Sequence, residues 1–265
     1  MKFALDHVVI AVGDLEQAIA DYRSLGFTVA PGGRHPGRTS HNALIVFQDG
    51  AYIELIAWTA PNDAERWNVV HRAHGDGFMD FALIPEDLPR ATAEAKARGL
   101  PLNGPIDGGR VRPDGVELKW QTARQTTFDL PFFCGDVTPR SLRVPEGDVR
   151  RHANGAAGVA TVVVAVNDLA ASTARYRAML GDAASNPPIV ELTGTGVRTT
   201  TLMQEHTALV LASAVGTPSS ALARLVEQRL GGRGEGPCAM SIGTHDGRPR
   251  ALVAQATHGA CIELC

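Results

Sequence analysis

Leu5-Asp6-His7-Val8-Val9-Ile10-Ala11-Val12-Gly13-Asp14-Leu15 opens the chain, and its pattern returns twice. The second copy is Phe78-Met79-Asp80-Phe81-Ala82-Leu83-Ile84-Pro85-Glu86-Asp87-Leu88. The third is Val159-Ala160-Thr161-Val162-Val163-Val164-Ala165-Val166-Asn167-Asp168-Leu169. Each is an apolar run rich in β-branched or aromatic residues, which suit a pleated strand. A short turn and an Asp-Leu pair follow. The aspartate is a helix N-cap candidate, because its carboxylate accepts from the orphan N–H groups of a first turn. Gln17 stands three residues after Asp14, the capping-box spacing. Leu15, Ala18, Ile19, Tyr22 and Leu25 then recur at helical period and form one apolar face. Helices are expected over 14–25, 87–98 and 168–180. Gly26, Gly99 and Gly181 end them where a left-handed cap favours glycine.

Strand-like segments follow each helix. In the first copy they are 27–30, 41–48 and 51–58, the last two joined by the hairpin dipeptide Asp49-Gly50. In the second they are 102–106, 116–123 and 128–134, and in the third 189–192, 199–204 and 207–213. A fourth copy is reduced. Residues 219–230 read as a linker helix matching 64–73, and 238–244 as a first strand. His245-Asp246-Gly247-Arg248-Pro249 then turns where a helix belongs, and 250–256 and 259–265 finish the copy. The unit is βαβββ, with three complete copies and one reduced. Such internal repetition decides an architecture before any single motif does. An α+β fold is expected, with the units paired into two cupped mixed sheets and helices outside. Pro139 to Gly158 is rich in turn residues, which sets a linker at 141–154 between a double module at 1–140 and a second, degenerate one at 155–265.

The chain has 265 residues, 44% apolar and 20% charged, with a formal net charge of -3. No basic run marks a nucleic-acid or anionic-membrane surface. No apolar stretch approaches the roughly 18 residues of a spanning helix. An acidic residue at position 6 comes too early for a secretory leader. A cytoplasmic protein is expected, acting on a small molecule as a monomer or homodimer. Cys134, Cys238, Cys261 and Cys265 form no Cys-x-x-Cys pair, so zinc-knuckle and dithiol readings lack support. No Gly-x-Ser-x-Gly elbow is present, and no Gly-x-Gly-x-x-Gly follows a strand.

Several stretches taken in order resemble the vicinal-oxygen-chelate superfamily and, within it, glyoxalase-like domain proteins. They are Leu5-Asp6-His7-Val8-Val9, Gly33-Arg34-His35-Pro36-Gly37-Arg38-Thr39-Ser40-His41-Asn42, Tyr52-Ile53-Glu54-Leu55, Pro113 to Trp120, Leu130-Pro131-Phe132-Phe133 and His152-Ala153-Asn154-Gly155. The likeness covers nearly the whole chain. It implies a fold shared by isomerases, lyases, dioxygenases and non-catalytic sequestering proteins, so it does not choose among activities.

In that superfamily a divalent ion is held by the first and fourth strands of two paired units. Carried over, the resemblance implies His7, Glu54 and Asp80 as metal ligands, with Gly135 at the fourth place where a glutamate is common. Cys134 or Asp136 would replace it only after a one-residue slip of the strand. One imidazole and two carboxylates suit manganese, iron, zinc or nickel, which would polarise a substrate carbonyl. The alternative is a polar cavity without a metal. Glu54 itself lies in the apolar run Tyr52-Ile53-Glu54-Leu55-Ile56, where an unpaired carboxylate is costly, so it needs a metal, a cation or a solvated cavity. It is also the candidate general base. His35, His41 and Asn42 lie in or just after a glycine-rich loop and are candidate substrate contacts, as are Trp120 as a cavity wall and Arg124 as receiver of an acidic group. The matching places of the second half hold Thr161, Val210, Ala239 and Glu263, a poor donor set, so that half is expected to be structural. Two functions remain: a proton-transfer enzyme of lyase, isomerase or dioxygenase-related type, or a binding protein without turnover.

Overall fold

A computed structural model describes residues 1–184 and 187–265. The first unit is β1 (Phe3–Ala11), α1 (Leu15–Ser24), β2 (Ala30–Arg34), β3 (Ser40–Val46) and β4 (Tyr52–Trp58). Helix α2 (Arg66–His74) leads to the second unit: β5 (Gly77–Pro85), α3 (Leu88–Ala97), β6 (Asn103–Val111), β7 (Glu117–Arg124) and β8 (Phe132–Asp136). A short helix α4 (Arg140–Arg143) precedes the third: β9 (Ala156–Ala165), α5 (Leu169–Leu180), β10 (Val190–Leu192), β11 (Val197–Gln204) and β12 (Thr207–Ala214). Helix α6 (Ala221–Gly232) leads to β13 (Gly236–Thr244), β14 (Arg250–Ala251) and β15 (Cys261–Leu264). The fourth unit lacks its helix, as its turn-rich sequence predicts. The strand expected over 250–256 shrinks to two residues, because Ala254 to Gly259 coil into turns.

The caps are where the sequence places them. Asp14 accepts from Gln17 N at 3.0 Å, Asp87 from Arg90 N at 2.9 Å and Asp168 from Ala171 N at 2.9 Å. Each removes an orphan donor and adds a negative charge at a helix N-terminus. The helices pack outside two sheets. The first half closes into an eight-stranded barrel in the order β1-β4-β3-β2-β6-β7-β8-β5. The second is an open seven-stranded sheet, β10-β11-β12-β9-β13-β15-β14. Closure rests on one pairing, Arg34 with Val111. Gly33 beside it has φ +144°, and a Cβ there would run into Val111 O. A residue with a side chain would therefore hold the seam open, and the cup expected in the first half becomes a barrel.

One irregularity recurs in every unit. Asp6 in β1, Met79 in β5, Ala160 in β9 and Cys238 in β13 are each skipped by the antiparallel pairing. A bulge inserts one unpaired residue and re-aims the side chains around it. Here it lets Asp6 turn toward the same interior as His7. A single apolar cluster runs from Tyr22, Phe47 and Phe133 of the first half to Tyr176 and Met179 of the second. The stretch 141–154, expected as a linker, packs closely against the first half. Arg143 is 2% exposed, and His152 accepts from Thr28 N and reaches Val46 O.

Candidate active site

The barrel encloses a cavity of about 580 Å³. Strand alternation puts Tyr52, Glu54 and Ile56 of β4, Ser40 and Asn42 of β3, and Phe132 and Cys134 of β8 on its wall. His7 enters from β1. Its Nδ1 lies 2.6 Å from Asp6 Oδ2. Burial by itself would raise Asp6, but Arg143 and Arg140 outweigh it and, with the His7 bond, hold this carboxyl well below the usual range. An ionised carboxylate has no proton to give, so the shared proton sits on Nδ1 of His7. Nε2 is the ring nitrogen turned to the cavity, 3.6 Å from Glu54 Oε2. Glu54 Oε1 accepts from Asn42 Nδ2 at 2.5 Å, and Asn42 Oδ1 in turn accepts from Arg110 at 3.3 Å. The Tyr52 ring stacks on His7 with centroids 4.7 Å apart, and its hydroxyl accepts from Arg143 at 2.7 Å. Burial keeps that phenol protonated.

His35 lines the same space from the β2–β3 turn. Its Nε2 is 3.9 Å from Glu54 Oε1 and its ring meets Trp120 edge-on at 6.0 Å. Burial pushes this imidazole below its ordinary range, so it is neutral at neutral pH. Trp120 lies over Gly108, where a Cβ would come within 2.5 Å of the indole nitrogen. Arg124 reaches the cavity across the rings of Phe132, at 5.0 Å, and Trp67, at 5.5 Å. His41 does not take part. It neighbours Asn42 on β3 and so stands on the opposite face.

Asp80 stands opposite Val9, as Glu54 does on the other side, but its carboxylate is taken up by other partners. It is fully buried, accepts from Arg66 at 2.6 Å and Trp67 at 3.0 Å, and takes no place on the cavity wall. The fourth ligand place also needs correction. Val9 pairs with Glu54, and the equivalent Ala82 pairs with Phe132, so Phe132 is the counterpart of Glu54. Gly135 faces outward, since a Cβ there would meet Leu88 Cβ of α3 at 2.8 Å. Cys134 does face the cavity, without any slip of the strand, and burial pushes its thiol up and keeps it protonated. Asp136 is bound by Arg140 and Arg143.

A family profile described as "Glyoxalase-like domain" matches residues 5–180. The chain belongs to the glyoxalase-like domain family. Solved structures agree with its fold, which is that of the vicinal-oxygen-chelate superfamily. A hypothetical protein from Staphylococcus aureus is 16% identical with a TM-score of 0.71, covering 99% of each chain. A mutant of 4-hydroxymandelate synthase from Streptomyces coelicolor is 15% identical with a TM-score of 0.64, covering 92% of this chain and 71% of that one. A xylose isomerase-like TIM barrel/4-hydroxyphenylpyruvate dioxygenase fusion protein is 16% identical with a TM-score of 0.55, covering 91% of this chain and 36% of that one. No match to a curated protein is found.

The ligand set that the resemblance implies for a divalent ion does not fit this glyoxalase-like chain. Arg66 already neutralises Asp80, and the fourth place is a phenyl ring. Among the described residues no three His, Cys, Asp or Glu side chains gather to hold a metal. What the site does hold is a close pair, His7 Nε2 against Glu54 Oε2, stiffened from behind by Asp6 and Asn42. Reading the sequence alone misses Asp6, Arg110 and Arg143 as parts of it. The spacing of Arg140 and Arg143, one helical turn apart, is the one signal for the last, because it sets two cations on one face.

Proposed function

We propose that the barrel of this glyoxalase-like protein binds a small oxygenated metabolite and moves a proton at the carbon beside its carbonyl or hydroxyl. The observation behind the reading is the separation of His7 Nε2 and Glu54 Oε2. At 3.6 Å it is too long for a hydrogen bond between them and suited to a substrate proton placed between them. Glu54 Oε2 is the base, since Oε1 is held by Asn42. The proton passes to His7 Nε2, where Asp6 stabilises the imidazolium, and returns to the substrate from there. Arg110, on the same wall, supplies positive charge for the oxygen that becomes enolate-like. Isomerases and lyases both begin with such a step. The fold names of the solved structures support an enzyme in general and no particular substrate. The chain completes its own cavity, so it works as a monomer or as each half of a homodimer. A cytoplasmic setting suits its free cysteines.

A second reading is a sequestering protein with the same cavity and no turnover. Phe132 at the fourth ligand place and the consumption of Asp80 by Arg66 favour it. The test is deuterium wash-in at carbon, followed by proton NMR over a panel of 2-oxo and 2-hydroxy acids. The enzyme reading predicts exchange by the natural protein, reduced about 10²- to 10⁴-fold in Glu54→Gln. Saturable binding with no exchange would leave the sequestering reading in its place.

A further inference from the structure

The ligand's charge can be read from the cavity's own balance of charges. Arg143 faces Asp6 and Asp136. Arg66 faces Asp80. Arg110 is bound to Asn42 and to Arg143 O, near Glu54. Arg124 differs from all three. Among the described residues its guanidinium has no hydrogen bond and no ion pair, only the faces of Phe132 and Trp67. Burial pushes its pKa down to about 10, which leaves it charged at neutral pH. A half-buried cation without an acceptor is costly, and ring faces offset only part of that cost.

Arg124 also stands where the main cavity opens into a side pocket of about 220 Å³, lined by Arg38, Glu65, Arg66, Trp67 and Thr122. Three guanidiniums meet two carboxylates there, Glu65 and the Asp80 behind Arg66. Glu65 is already engaged by Thr39, Trp58 and Asn62. Arg38, like Arg124, has no ion pair among the described residues, but it is exposed to solvent, so the uncompensated charge shielded from water is that of Arg124.

We infer that Arg124 is the receptor for a carboxylate, and that the ligand is a monocarboxylic acid held by its acid group at this end with its oxygenated carbon at the His7–Glu54 end. This rests on the proton-transfer reading only for what happens at the far end. One ring sets the spacing: Phe132 lies 5.3 Å from the His7 ring and 5.0 Å from Arg124 Cζ. A compact acid whose body lies along Phe132 touches both ends. A single uncompensated charge matches a carboxylate better than a phosphate ester, which carries about -1.5 to -2 at neutral pH. The guanidinium fork also matches a carboxylate in shape.

Calorimetric titration at low salt tests this, with benzoate and cyclohexanecarboxylate as probes against benzamide and inorganic phosphate. The two carboxylates are expected to bind at one site, and benzamide and phosphate at least about tenfold more weakly. Arg124→Gln is expected to weaken carboxylate binding roughly 10- to 100-fold, the loss of one charge-assisted pair, with Arg124→Lys in between. Equal affinity in Arg124→Gln, benzamide binding as tightly as benzoate, phosphate binding more tightly than either acid, or no saturable binding by any acid would each overturn the assignment. Should Arg124→Gln fail to fold, the lysine variant and the benzoate–benzamide contrast decide alone. Binding is read rather than turnover, so the loss of the proton-transfer reading would leave this result standing.

Discussion

His7 Nε2 and Glu54 Oε2 face each other across 3.6 Å, each gripped from behind by a different neighbour. Asp6 holds the far nitrogen of the imidazole at 2.6 Å, and Asn42 holds the far oxygen of the carboxylate at 2.5 Å. Neither side chain can turn away without breaking a buried bond. Pre-set geometry of this kind is what a proton transfer needs before substrate arrives.

Asp6 carries the heaviest electrostatic load. It is fully buried and bound by Arg140, Arg143 and His7. Asp6→Asn leaves two guanidiniums with Asp136 as their one remaining carboxylate, so it is expected to cost about 3 kcal/mol in urea denaturation. The pH dependence has a definite sign. The folded carboxyl titrates well below its unfolded value of about 4, so the unfolded chain binds the proton first on acidification. Its contribution is fully present above about pH 4 and is lost as pH falls through the folded pKa. The natural protein should lose stability steeply in that window, and Asp6→Asn should show a shallower slope there.

Gly32 makes room for Asn42. A Cβ at position 32 would run into Asn42 Oδ1 and lie 2.7 Å from Asn42 O, which is backbone and cannot swing aside. Gly32→Ala is expected to destabilise by about 1–3 kcal/mol in thermal melts. It should also slow proton exchange, because the Asn42 amide is displaced from Glu54.

Gly135→Ala separates two placements of one residue. Position 135 faces α3, where a Cβ would crowd Leu88. A loss of about 1–3 kcal/mol is expected, with carboxylate affinity in the cavity unchanged. Altered affinity with unchanged melting would place residue 135 on the inner wall instead.

The repeat and six of the residues on the cavity wall, His7, His35, Asn42, Glu54, Trp120 and Arg124, are legible because their signals are local. A capping aspartate and an apolar period act within one turn or strand, and Glu54 betrays itself as a carboxylate in an apolar run. The missing parts depend on contacts between distant segments. Alternation alone treats His41 and Asn42 alike, yet only one of two neighbours on a strand can face the cavity. Asp80 looks like a ligand until α2 brings Arg66 to it. Counting along the repeat puts Gly135 at the fourth ligand place, whereas the register of β8 is set by its pairing with β5 and puts Phe132 there. Arg143 lies in a segment whose prolines and glycines suggest a tether, and only folding shows its guanidinium between Asp6 and Tyr52.

In the proposed function His7 and Glu54 work as a pair, without a third donor completing an ion site. Exhaustive chelation of the purified protein, with metal content and deuterium exchange measured before and after, tests it most directly. The expected result is well under one equivalent of divalent metal, and exchange that survives chelation but is lost in Glu54→Gln. One equivalent of manganese, iron, zinc or nickel, absent from His7→Ala, with exchange abolished by chelation and restored by the ion, would contradict it.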